Sequence, residues 1–416
     1  VGAMAEQQVD VDIRELKAQF PEVVSRLASV QADRRAKGFS KVSDDEVLEK
    51  FLVARNGVAA DAAAMLTGYL DWWLDYSANT VIRPIPPVIR TAGIQFPPAT
   101  EPVDPEFERF RREVMRHYFI VLHKTDKMGN PILIERTGQC NGRGIVAAGD
   151  LDQLFRLHIH IMELLQISFD QCSLTSPGGR RVRGQTGIFD LSGLGLHHMY
   201  MPAVRTFTHM IKHDQELYPE SLEKLFVVNA PRIFPMFWRL VKPFLNQRTV
   251  DKVVIASNPK ILLDYIDAEN LPTFLGGRCE CAGGCCPVED TTASDDKPVQ
   301  VKIARGATYK VDVEASPDTC LAYEFSTIDH DIGFSLLFMG ADGVTSILVP
   351  SERVKSQAET IQGEHTFSQQ GTYCFVWDNS YSKMRGKNIT YLIRTSAPDL
   401  MSPGAQTAHV EGGADA

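Results

Sequence analysis

The sequence predicts an α/β multi-domain protein: an N-terminal helical region over 10–80, an α/β domain with a mostly parallel sheet over 106–280, and a C-terminal all-β sandwich over 297–396. Three observations lead there. Apolar residues recur at helical spacing as far as about Tyr76, short β-branched runs then alternate with helical stretches, and beyond about Glu289 the hydrophobic period drops to two.

Composition sets the frame. A chain of 416 residues, 44% hydrophobic and 23% charged, is ordinary globular material, long enough for two or three cores. The net charge of -9 argues against a nucleic-acid partner, which selects for surplus Lys and Arg; RRVRG at Arg180–Gly184 is a local basic exception. There is no uninterrupted apolar run of the length that spans a bilayer, and the polar opening lacks the apolar centre of a secretory leader, so a cytoplasmic protein is expected. Eight cysteines are too sparse for a disulfide scaffold.

In the first region, Ser43 stands three residues before Glu46 and suits a capping box ahead of Val47, Leu48, Phe51 and Leu52. Asn56-Gly57 stops that helix. Asp61 is expected to cap the next one, which carries Ala64, Met65, Tyr69, Leu70 and Trp73. A proline-rich connector runs from Pro84 to Pro105. The middle region then reads HYFIVLHK, a turn at Met128-Gly129-Asn130, PILIER, a helix from Leu151 to about Phe169, TGIFDLSG, a helix from about Tyr200 to Leu217, LFVVNA, and KVVIAS. Strands separated by helices indicate parallel pairing with crossovers. A linker follows over 281–296. Beyond it, Val299, Val301 and Ile303 begin the alternation; Leu321, Tyr323 and Phe325, Phe334 and Leu336, Tyr373, Phe375 and Trp377, and Ile389 and Tyr391 continue it, as an antiparallel sandwich does. Residues 397–416 read as a disordered tail.

Catalytic chemistry finds little support. No GxSxG elbow is present, and Gly193-Leu194-Gly195 lacks the third glycine of a dinucleotide fingerprint. His158 and His160 fall on different faces of a helix, and His197-His198 has no carboxylate or cysteine nearby in sequence. Cys279, Cys281, Cys285 and Cys286 are the sharpest metal suggestion. Neither half is a CxxC knuckle, however, and adjacent Cys285 and Cys286 fit two tetrahedral positions poorly, so a structural loop without metal is expected. Neither a catalytic residue nor a cofactor is expected.

Apolar chemistry remains. In APRIFPMFWRLVKPFL the residues Ile233, Phe234, Phe237, Trp238, Leu240, Val241 and Phe244 wrap most of a helix rather than one stripe. Pro231 and Pro235 fit at or before the first turn, and Pro243 bounds the far end. The result is a short rod with two greasy sides.

These residues also carry a resemblance. GIFDLSGLGLHHMYMPAV, LYPESLEKLFVVNAPRIFPMFWRLVKPFLNQRTVDKVVI and ENLPTFLGG, with YPE, NAP, KPFL and LPxxxGG at their spacings, resemble the CRAL-TRIO lipid-transfer family over roughly residues 10 to 280. GTYCFVWDNSYSKMRGKNITYLI resembles a GOLD domain, and the domain order is similar to the supernatant-protein-factor and tocopherol-associated group. The resemblance implies a deep apolar pocket and no enzymatic activity. It makes Phe234, Phe237, Trp238, Val241 and Phe244 a gate that opens on membranes. Aligned on members that carry phosphatidylcholine, the pocket positions become Leu122, Leu133, Ile161, Gln185 and Gly187, which have lost most of the headgroup polarity. Members that carry phosphatidylinositol use the KPFL lysine, here Lys242, together with an acidic residue and a second lysine that appear here as His209 and Asn56.

The expectation is therefore a protein that binds one hydrophobic lipid and transfers or presents it between membranes. A neutral isoprenoid, sterol precursor or tocopherol is expected as cargo, because a buried headgroup without partners costs several kcal/mol. Gln185 suits a single hydroxyl, and Lys242 suits a headgroup or membrane phosphate. Exchange or sensing of phosphatidylinositol or phosphatidylcholine, favoured by Lys242 and by Arg180, Arg181 and Arg183, is the alternative, and a trafficking adaptor acting through the sandwich is another. Expected partners are the lipid, transient contact with a membrane surface, and a possible protein bound by the sandwich.

Overall fold

The computed structural model describes residues 12–79, 88–96, 104–281, 284–287, 298–317, 320–328, 330–340, 343–358, 360–366 and 369–396. Half of the proline-rich connector, most of the linker and all of the expected tail lie outside them. The chain divides into two compact units, one of residues 1–194, 202–231 and 245–292, the other of residues 195–201, 232–244 and 293–416.

The first unit opens with four helices, α1 (Ile13–Gln19), α2 (Pro21–Ala36), α3 (Asp44–Ala54) and α4 (Ala59–Asn79). Ser43 Oγ accepts from Glu46 N at 3.2 Å, as its position implies. The Glu46 carboxylate turns instead to Arg181, 3.0 Å away. Helix α4 starts before Asp61, which lies in its first turn rather than at its cap and complements the helix dipole there.

Next come β1 (Arg90–Ala92), α5 (Pro105–Met115), β2 (Ile120–Thr125), β3 (Pro131–Glu135), α6 (Gly142–Ala148) and α7 (Leu151–Thr175). Asp150 and Gln153 form a reciprocal capping box at the head of α7. Then follow β4 (Gln185–Asp190), α8 (Met201–Leu217), β5 (Leu222–Val228), α9 (Phe234–Val241), α10 (Gln247–Asp251), β6 (Val253–Ile255) and α11 (Leu262–Tyr265). The six strands lie side by side in chain order, parallel except for the β2–β3 hairpin.

Alternation along the strands gives the sheet two apolar faces. Ile120, Leu122 and Leu133 join the core of α1–α5 and α7, while Val121, Ile132, Ile134, Ile188, Phe226 and Val228 pack against Leu262, Ile266, Leu271 and Leu275. The LPxxxGG turn closes this second core. Gly276 has φ 88°, and a Cβ on Gly277 would sit 1.9 Å from the Leu271 carbonyl oxygen, so both positions require glycine.

The second unit holds β7 (Val299–Ile303), β8 (Thr308–Ala315), β9 (Cys320–Thr327), β10 (Ile332–Gly340), β11 (Thr345–Val354), β12 (Ile361–Thr366), β13 (Gly371–Asp378) and β14 (Lys387–Ser396). They form two antiparallel sheets, ordered β11-β10-β13-β8 and β12-β9-β14-β7. Phe325, Phe334, Phe375 and Trp377 fill the space between them, with Phe325 edge-on to Trp377 at 5.6 Å. Asn379 of the WDNSYS run is wholly buried, its amide donating to the Ala304 and Arg385 carbonyls at 3.0 Å each.

Candidate functional site

The site expected to hold cargo is built on the first face of the parallel sheet. Leu122 pairs with Leu133, Leu133 with Gly187, Gly187 with Leu225, and Leu225 with Val253, which makes one row across β2 to β6. Leu122 and Leu133 are buried, and Leu225 and Val253 are half-buried. Ile161 of α7 belongs to the same apolar cluster as Leu122 and Leu133. The structure thus sets Leu122, Leu133 and Gly187 in one row and places Ile161 in the core that Leu122 and Leu133 share. Leu225 and Val253 continue the same row, at positions that the strand period in the sequence also marks. Gly187 keeps the row low in its middle, since a Cβ there would meet Leu225 Cδ1 at 2.9 Å.

Polar groups stand at the ends of this floor. Gln185, at the start of β4, has a buried Oε1 without a hydrogen-bond partner among the described residues. In the neighbouring row Ile120 pairs with Glu135 and Glu135 with Phe189. Burial raises the Glu135 carboxyl above its ordinary range, opposed by hydroxyls of Tyr118 at 2.8 Å and Thr137 at 3.0 Å.

The histidines divide as their spacing requires. Burial opposes charging of His158, but the Asp214 carboxylate 2.7 Å away outweighs it and raises the pKa. His160 turns to the Arg156 carbonyl at 2.7 Å, and burial pushes it down to about 4. His209 stacks edge-on with His213 at 4.4 Å, and Asn56 takes a positive φ of 54° at the end of α3.

The YPE and NAP motifs have local tasks. Tyr218 of YPE donates to Glu163 at 2.9 Å; Glu163 in turn binds Arg34 at 2.7 Å, with both charged side chains only 4% exposed. The Arg34 guanidinium lies 3.9 Å over the Trp73 ring. Glu220 of YPE accepts from Arg248 at 2.9 Å and Lys252 at 2.8 Å. Burial works against that carboxylate, yet the two cations hold its pKa below the ordinary value. Asn229 of NAP donates to buried Asp190 at 2.7 Å. The basic patch is already engaged: Arg180 meets Glu223 at 3.2 Å, Arg181 meets Glu46 at 3.0 Å and Asp170 at 2.8 Å, and Arg183 meets Glu49 at 2.5 Å.

The segment read as a gate belongs to the second unit. Its helix, α9, buries Met236 and Leu240, and Ile233 just before it is buried too. Ile233 and Met236 pack with Leu196, with Ala322 of β9 and with Leu392 of β14, and Phe237 lies against that cluster. Phe234 and Trp238 pair at 6.1 Å and are half-buried, as is Val241. Lys242 and Phe244 are exposed, in a tighter turn over Lys242–Phe244.

Residues 115–277 match the CRAL/TRIO domain. The phosphatidylinositol/phosphatidylcholine transfer protein SFH7 of Arabidopsis thaliana is 31% identical over 72% of this chain and 50% of its own length. SFH11 of the same plant, under the same description, is 32% identical over 64% of this chain and 66% of its own. The crystal structure of Sfh5 aligns with a TM-score of 0.46 at 16% identity, over 69% of this chain and 95% of that one. The chain therefore spans between half and two thirds of the length of these two plant relatives.

Proposed function

We propose, for a chain that carries a CRAL/TRIO domain at residues 115–277, that it binds a single lipid against the floor of its parallel sheet and exchanges that lipid between membranes. The observation that carries this reading is the apolar row Leu122–Leu133–Gly187–Leu225, with Ile161 in the same hydrophobic core as Leu122 and Leu133 and a glycine where a side chain would fill the floor. Burying a lipid chain there is worth about 0.8 kcal/mol per methylene, and a bilayer offers a similar gain, so transfer is nearly balanced and its rate is set by opening.

For the cargo, a phospholipid of the phosphatidylinositol or phosphatidylcholine class takes first place, because the similar proteins are described as carriers of those lipids. A neutral lipid with one hydroxyl, such as a tocopherol or sterol precursor, is the second reading. The apolar character of Leu122, Leu133 and Ile161, with Gln185 Oε1 as the lone open acceptor nearby in sequence on β4, favours it. In both readings α9 is the element that meets the membrane, and no helix among the described residues is long and apolar enough to cross one.

Native mass spectrometry after incubation with vesicles of mixed phosphatidylinositol, phosphatidylcholine, tocopherol and sterol precursor separates the readings. Stoichiometric phospholipid capture supports the first, and capture of a neutral lipid supports the second. A protein that takes up no lipid, and moves none between donor and acceptor vesicles, overturns both.

A further inference from the structure

The loop after the LPxxxGG turn gathers three thiols around a histidine from β2, the strand next to the edge of the sheet. Cys279, Cys281 and Cys285 place their Sγ atoms, and His123 of β2 a ring nitrogen, all within 4.8 Å of one another. Cys281 Sγ lies 3.8 Å from Cys279 Sγ, 3.3 Å from Cys285 Sγ and 3.9 Å from His123 Nδ1. A tetrahedral zinc with Zn–S of about 2.3 Å and Zn–N of about 2.0–2.1 Å separates its sulfurs by roughly 3.8 Å and sulfur from nitrogen by roughly 3.5 Å. A disulfide needs sulfurs at about 2.05 Å, and all of these cysteines are free.

The surroundings agree with a closed metal site. His123 is fully buried, Cys279 and Cys285 are each 6% exposed, and Cys281 is half-buried. The backbone holds the cysteines in place: Cys279 N donates to Leu271 O at 2.9 Å, and Gly284 N donates to Cys281 O at 2.8 Å. Cys281 N points at Cys285 Sγ from 3.4 Å, the kind of N–H contact that steadies a thiolate ligand. Cys286 faces the other way, into the core of Phe119, Ile134 and Leu275, and its carbonyl accepts from Arg136 at 3.2 Å. The adjacent-cysteine objection therefore disappears, because the fourth ligand is His123 rather than Cys286.

We propose that His123, Cys279, Cys281 and Cys285 form a Cys3His site for zinc. Three thiolates and an imidazole are a soft donor set, and four protein ligands leave no open position, so the site is structural. It staples the chain that leaves the α/β domain onto β2. The cysteines lie past residues 115–277, so they are an addition to the matched domain rather than part of it.

The test uses the full chain purified under reducing conditions without chelator. Zinc is measured by elemental mass spectrometry, and the metal is then exchanged for cobalt, whose thiolate charge-transfer and ligand-field bands report sulfur ligation and tetrahedral geometry in the unmutated protein. Stoichiometric zinc and a tetrahedral, thiolate-rich cobalt spectrum are expected. Zinc retention should fall at least about tenfold in Cys281→Ser and His123→Asn and stay unchanged in Cys286→Ser. A wild-type chain without zinc, an octahedral cobalt spectrum, retention in Cys281→Ser, or a native disulfide among these cysteines overturns the proposal.

Discussion

Replacing Glu163 by alanine removes the only carboxylate that faces buried Arg34 at hydrogen-bond distance among the described residues. The pair spans α2 and α7 at 2.7 Å with 4% exposure on each side, and Tyr218 completes it at 2.9 Å. After the substitution the guanidinium keeps the Trp73 and Phe39 rings, at 3.9 and 5.1 Å, but loses its counter-charge. An uncompensated buried charge costs about 3–5 kcal/mol. Tyr218→Phe removes one hydrogen bond to a charged group and costs about 1.5–3 kcal/mol. Replacing both ions, as Arg34→Met with Glu163→Leu, removes the desolvation penalty together with the attraction and leaves only the Tyr218 hydroxyl without its acceptor, a loss of about 1–3 kcal/mol that is smaller than that of Glu163→Ala. Urea-dependent hydrogen exchange in peptides of α2 and α7 reads each loss locally, which matters in a chain of two units whose global unfolding is not one transition. A loss below about 1 kcal/mol for Glu163→Ala, or a double variant as unstable as the single one, would refute the reasoning.

Three further outcomes follow from the geometry. Gly277→Ala puts a Cβ 1.9 Å from the Leu271 carbonyl and should cost more than Gly276→Ala, which meets open space and pays about 1–2 kcal/mol for its positive φ; melting temperatures compare them. His160, pushed down to about 4 by burial, resists protonation when folded. Its effect on stability is nil above the unfolded pKa of about 6.5 and grows unfavourable as pH falls from there toward about 4, so His160→Asn should flatten the loss of melting temperature between about pH 6.5 and pH 4. Met236→Asp should free α9 from Ala322 and Leu392 and speed tryptic cleavage at Arg239 without unfolding the sandwich; unchanged cleavage would mean that this contact does not hold the helix.

Much of the architecture is legible because local pattern and tertiary role coincide. The β-branched runs around Ile120–Thr125 and Leu222–Val228 are strands in a parallel sheet, and the alternation at Tyr373, Phe375 and Trp377 points one face of β13 into the sandwich core. Where the pattern is weak, reading fails. β1 is three residues inside the stretch read as a proline-rich connector, and β11 is exposed along most of its length, with Ile347 at 69%, so it carries no alternation to detect. The sides of α9 cannot be read from the helix alone, because its partners Ala322 and Leu392 are chosen by folding of a distant segment. The same holds for His123: nothing near it in sequence announces three cysteines, and only the β2 register carries it to their loop.

The union of α9 with strands β9 and β14 also imposes an order in time. The stripe formed by Ile233 and Met236 leaves the ribosome well before Leu392, roughly 150 residues later, which at about 5–20 residues per second is on the order of ten to thirty seconds. Through that interval the helix is made and its seat is not. β14 lies between β7 and β9, so the sheet that receives the helix cannot close until β14 is synthesised. A nascent chain therefore offers an oily helix to chaperones and membranes before the finished protein covers that stripe.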